Sequence, residues 1–73
     1  MKYVVFSDLF VIVFSATENH DDVARRIGKK PVSAGFVNLH DGELSTSGHS
    51  FTLGIDSRAE DAELIRRQLS FYW

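Results

Sequence analysis

The chain has 73 residues, 44% of them hydrophobic, with 8 basic residues, 10 acidic residues and no cysteine. The lack of cysteine excludes disulfides and thiolate metal sites as sources of stability. The near balance of charge argues against a protein whose main task is to hold nucleic-acid backbone. We expect a single cytoplasmic domain, residues 1–73, whose core is marginal at ~3–5 kcal/mol and is supplemented by self-association.

The first apolar segment imitates a signal peptide but is better explained as two strands. Asp8 interrupts it, and the run Leu9–Phe14 is far shorter than the ~20 residues that span a bilayer. We predict strands over Tyr3–Phe6 and Leu9–Phe14, joined by a turn at Ser7 and Asp8. Because Leu9–Phe14 is apolar on both faces, it should be an interior strand, covered on each side or by a partner.

A short helix should follow, beginning after Asn19 as N-cap and ending at Gly28. Next come a strand over Val32–Leu39, in which Gly35 marks a bulge or a close backbone approach, and a turn at Asp41-Gly42. The polar segment Glu43–Ser50 suits an edge strand, which residues 51–55 either extend or follow as a short fifth strand.

The second helix is predicted over Arg58–Ser70, with Ser57 and Glu60 forming a capping box. Its apolar stripe is Ala62, Ile65, Leu69 and Tyr72. The fold class is therefore α+β in ββαββα order, a mostly antiparallel four- or five-stranded sheet with both helices on one face.

Three groups of residues are candidates for binding. Ser57 and Arg58 are a candidate anion contact at the helix start, although Arg58 could equally form a salt bridge with Asp56, Asp61 or a neighbouring strand. A basic cluster could meet nucleic acid, with Phe36 and Phe51 as stacking surfaces, or could simply complement the helix dipole. The basic cluster consists of Arg25, Arg26, Lys29 and Lys30.

The third group is the aromatic run Phe71, Tyr72 and Trp73. Three consecutive rings on a helix cannot all face one way, so we predict a protein interface there, or a tail that folds over the core.

The three histidines, His20, His40 and His49, could be arranged on paper into a metal site or a catalytic triad. They lack the i,i+4 spacing of a helical zinc site, and the chain has no Gly-x-Ser-x-Gly nucleophile elbow. We therefore predict no catalytic residue, no metal and no cofactor.

One segment of the chain resembles small uncharacterised bacteriophage and prophage proteins. The shared features are the strand Ser33-Ala34-Gly35-Phe36 and a segment of the form Gly-x-Ser-x-Ser-Leu-Gly-x-x-Ser-Arg, here residues 48–58 with Thr52 in place of the second serine. The resemblance implies a phage or mobile-element origin and assigns no residue a role.

The sequence thus favours a small non-enzymatic binding or regulatory protein of phage or mobile-element type that acts by protein–protein contact, as a homodimer and with an unidentified host or phage protein. The alternative is a weak nucleic-acid-binding accessory protein that uses the basic cluster. A small hydrolase or metal enzyme comes third.

Overall fold

The structure is a computed structural model, and it describes residues 1–70. Strands β1 (Lys2–Phe6) and β2 (Val11–Phe14) precede helix α1 (His20–Ile27). Four strands then lead to helix α2 (Asp61–Ser70): β3 (Pro31–His40), β4 (Glu43–Ser47), β5 (His49–Ser50) and β6 (Ile55–Asp56). The fold is α+β, as predicted, with an antiparallel sheet in the order β2-β1-β3-β4 and a separate hairpin formed by β5 and β6.

The opening hairpin confirms that the first apolar segment forms strands. Phe10 N–H donates to the Asp8 carboxylate, so Asp8 does hydrogen-bond the backbone two residues on. The second strand starts at Val11 rather than at Leu9, because Leu9 takes up the left-handed conformation, with φ of 67°, that closes the turn. The prediction that this strand is interior is wrong, since β2 lies at an edge of the sheet and β1 takes the interior position between β2 and β3.

The two helices lie on opposite faces of the sheet, so the prediction that they share one face is wrong. Successive side chains of a strand point to opposite faces. Val4 of β1 packs with Val23 of α1, whereas its neighbour Tyr3 packs with Ile65 of α2. The physical reason is that the central strand is apolar on both faces, and each face needs its own cover.

The predicted fourth strand is broken at Gly48, where φ is 79°. β4 ends at Ser47, and His49–Ser50 turns away to pair with Ile55–Asp56 in the small hairpin. Leu53 and Ile55 of this region pack on the same face as α1. The order is therefore not ββαββα, because two additional short strands separate β4 from α2.

Candidate functional site

The start of α2 is attached to the sheet through one buried carboxylate. Asp61 is fully buried and accepts a hydrogen bond from the Tyr3 hydroxyl at 2.5 Å. It also accepts from the backbone N–H of Arg58 at 2.8 Å and from the Arg58 Nε at 3.2 Å. Burial, and then the hydrogen bond to Asp61, raise the pKa of Tyr3 far above its usual range, so its hydroxyl remains protonated and donates.

These contacts support the salt-bridge explanation of Arg58. The guanidinium forms the predicted salt bridge with Asp61, and its Nη1 lies 3.9 Å from the Glu60 carboxylate. The predicted capping box is displaced by one residue, since Asp61 rather than Glu60 reaches back to a backbone N–H three residues earlier. Among the described hydrogen bonds, none involves the Ser57 hydroxyl, and the anion contact at Ser57 and Arg58 stays a prediction.

The four residues of the basic cluster are all exposed, as expected for a binding surface. Arg25 forms ion pairs with Asp21 and Asp22, at 3.5 and 3.4 Å, on its own helix. Arg26 pairs with Glu18, and Lys29 pairs with Asp8 at 2.8 Å. Of these four residues, only Lys30 has no ion pair among those that the structure describes, so most of the positive charge of the basic cluster is compensated.

The Lys29 contact also accounts for the electrostatics of the first turn. Its ammonium, together with the backbone N–H of Phe10, holds the pKa of the Asp8 carboxyl below its usual value. The same ammonium lies 4.6 Å from the centre of the Phe10 ring. Lys29 therefore stabilises the turn between β1 and β2.

The three histidines differ in burial. His20 is buried, and its Nε2 is 3.0 Å from the carbonyl oxygen of Gly35, whereas His40 and His49 are exposed. Within residues 1–70, no three histidine or acidic side chains converge in a way that could hold a metal ion.

An apolar concavity lies beside α2. We call it the apolar groove, and it has a volume of about 550 Å³. It lies on the α2 face of the sheet, bordered by the edge strand β4, and no charged side chain is among its described lining. The groove is lined by Met1, Val13, Val37, Leu39, Leu44 and Ile65.

Two of the most exposed large hydrophobic residues of the described chain belong to this groove. Leu39 is 73% exposed and Met1 is 63% exposed, whereas Ile65 at the floor is buried. Leu39 and Leu44 are directly opposite each other across the β3–β4 ladder, and they place a continuous apolar strip next to the sheet edge. An exposed apolar strip beside a sheet edge is typical of an interaction surface.

Sequence reasoning missed the groove as a site because its members come from five separate parts of the chain. The polar alternation of residues 43–47 indicated an edge strand, and this is confirmed, since β4 pairs only with β3 among the described strands. The predicted interface residues Phe71, Tyr72 and Trp73 lie outside the described residues.

Comparison of the chain with protein-family models, with curated proteins and with solved structures finds no match. Neither α1 nor α2, the helices of the described chain, has the length and apolar character needed to cross a membrane.

Proposed function

We propose that this chain is a small non-enzymatic binding protein that acts by protein–protein contact, and that its first partner is a second copy of itself. The observation that carries the proposal is the apolar groove, in which exposed Leu39 lies opposite half-buried Leu44 of the edge strand. Binding of a partner is favourable at exposed apolar surface of this kind, because the partner removes that surface from water.

A second copy suits the groove because its lining is apolar and uncharged. In a two-fold dimer the same surface of each copy packs against its equivalent. The β4 strand of one copy would then lie close to the β4 strand of the other. Such a contact should bury at least ~1,000 Å² in total to be stable. Residues 71–73 follow α2, and their contribution to the same interface remains a prediction.

Sedimentation equilibrium tests the proposal with a matched pair of variants. Leu39→Lys places a charge in the groove, whereas Phe51→Lys makes the same change at an exposed residue on the opposite face. We expect the intact chain and Phe51→Lys to be dimers at micromolar concentration and Leu39→Lys to be a monomer. An intact chain that remains an 8.2 kDa species throughout that range would overturn the dimer.

A chain that ends at Ser70 separates the groove from the aromatic run. If it still dimerises and Leu39→Lys abolishes that dimer, the groove is the interface. If truncation alone abolishes the dimer, the contact instead depends on Phe71–Trp73.

The alternative, nucleic-acid binding through the basic cluster, has less support because Arg25, Arg26 and Lys29 are already paired with acidic side chains. It predicts gel shifts at low salt that weaken steeply as salt rises. The phage origin and the cytoplasmic location remain predictions from the sequence alone.

A further inference from the structure

A second concavity lies on the opposite face of the sheet, where the start of α1 meets the β5–β6 hairpin. We call it the aromatic pocket, and it has a volume of about 140 Å³. A cavity of roughly 150 Å³ is large enough to hold one benzene ring. The residues of its lining that matter here are Lys2, His20, Phe36, His49, Phe51 and Thr52.

The polar group at its floor is His20, which is only 4% exposed. Its Nε2 is 3.0 Å from the carbonyl oxygen of Gly35, and a carbonyl can only accept, so Nε2 carries a proton. In the neutral ring, Nδ1 is then an acceptor. Edge contacts with Phe14 and Phe36 fix the ring plane, and the described hydrogen bonds place no donor on Nδ1.

The mouth of the pocket presents aromatic rings to solvent. Phe51 is 88% exposed, and the His49 ring meets it edge-on with centres 4.3 Å apart. Thr52 accepts a hydrogen bond from the backbone N–H of Asp21, which attaches the turn bearing Phe51 to the start of α1. The exposed ring is thus held over the pocket by a fixed backbone.

The charge of the pocket is positive. Lys2 Nζ donates one hydrogen bond, 2.7 Å long, to the backbone oxygen of Glu18, and a lysine ammonium has three donors. The described lining includes no acidic side chain. An anionic group bound at the mouth would therefore meet Lys2 without a competing carboxylate in the wall.

We propose that the aromatic pocket binds a nucleobase together with its attached phosphate. The six-membered ring enters beside Phe36 and stacks on Phe51, an N–H of the base donates to His20 Nδ1, and the phosphate meets Lys2. These are the three chemical features of a nucleotide, and base–aromatic stacking contributes ~1–3 kcal/mol per base in proteins of this kind. The ligand can be a free nucleotide or one base of a single-stranded nucleic acid.

The test is a titration of the intact chain with nucleoside monophosphates, with the corresponding nucleosides and with short single strands. Changes in the NMR chemical shifts of the chain report the binding. We expect shifts centred on Phe36, His49 and Phe51 at millimolar nucleotide. Phe51→Ala should weaken binding about tenfold, which corresponds to the loss of one stacked base. Lys2→Gln should weaken the binding of the monophosphate but not of the nucleoside. Ser45→Ala, at an exposed residue of β4 outside the pocket lining, should change neither affinity.

The two sources of the base are separated by affinity and by salt. A single strand that binds at least tenfold more tightly than the monophosphate assigns the pocket to nucleic acid, and equal affinities assign it to free nucleotide. For the single strand, one lysine at the pocket predicts that the logarithm of the association constant falls with the logarithm of the salt concentration with a slope of about −0.7. A slope several times steeper, or the absence of shifts at Phe36, His49 and Phe51, would overturn the proposal. Because the pocket and the apolar groove lie on opposite faces, this result is independent of the dimer test.

Discussion

The Tyr3 hydroxyl lies 2.5 Å from the Asp61 carboxylate, and both side chains are fully buried. This contact joins the interior strand β1 to the first residue of α2. Since a buried carboxylate without donors is costly, the position of α2, and with it one wall of the apolar groove, depends on this pair.

Tyr3→Phe should lower the free energy of unfolding by about 1–3 kcal/mol at neutral pH, because Asp61 loses a donor while it remains buried. Urea denaturation followed by circular dichroism measures this directly. Tyr72→Phe makes the same chemical change at the only other tyrosine and serves as the reference. Equal effects of the two substitutions would contradict a special role for the Tyr3 hydroxyl.

The same contact predicts a dependence on alkaline pH. The pKa of Tyr3 is raised in the folded state above its ordinary value near 10, first by burial and then by Asp61. A group with a raised folded pKa contributes its full stabilisation below the unfolded pKa and loses it as the pH rises. The stability difference between the native chain and Tyr3→Phe should therefore shrink above about pH 10.

Phenolate absorbance recorded alongside circular dichroism checks the cause. One tyrosine should ionise only as the chain unfolds. Ionisation of both tyrosines near their ordinary pKa with the fold intact would show that the Tyr3 hydroxyl is not held by burial and Asp61.

Asp61, rather than Ser57, should determine where α2 begins. Asp61→Asn keeps the shape but removes the charge that pairs with Arg58, and we expect a loss of about 1–3 kcal/mol. Ser57→Ala should change stability by less than about 0.5 kcal/mol. Denaturation midpoints in the reverse order would restore the capping box that the sequence predicted.

Gly35 should tolerate no side chain. A Cβ there would lie 2.5 Å from the backbone oxygen of Ser47, so Gly35→Ala has to displace β4 and should cost about 1–3 kcal/mol. Gly42→Ala is the comparison, because Gly42 has open space around it and its φ of 80° carries only the conformational cost of about 1 kcal/mol. A Gly35→Ala variant as stable as the native chain would mean that the β3–β4 approach is looser than described.

The features that sequence reasoning predicted well are local ones. α1 starts after Asn19, although the Asn19 side chain makes no capping hydrogen bond, and it ends at Gly28, which has φ of 77°. Asp41 and Gly42 form the predicted turn with positive φ. Gly35 was predicted to mark either a bulge or a close backbone approach, and the structure shows the close approach. Each of these follows from the backbone preferences of one or two residues.

The features that sequence reasoning missed depend on packing between distant segments. The apolar character of β1 on both faces was a readable sign that helices would cover both, but the helix stripes alone do not say which face each will meet. Likewise, His20 was considered only for a metal site or a catalytic triad, and its burial between Phe14 and Phe36 comes from three separate elements. Gly48 carried a signal for the break after β4, because a glycine inside a strand often marks an interruption.

We propose that two copies meet through the apolar groove. The most direct measurement is an isotope-filtered nuclear Overhauser experiment on a mixture of methyl-labelled and unlabelled chains. We predict contacts between copies at the methyl groups of Val37, Leu39 and Leu44, and their loss in Leu39→Lys. Contacts between copies that appear only around Phe51, or none at millimolar protein, would contradict it.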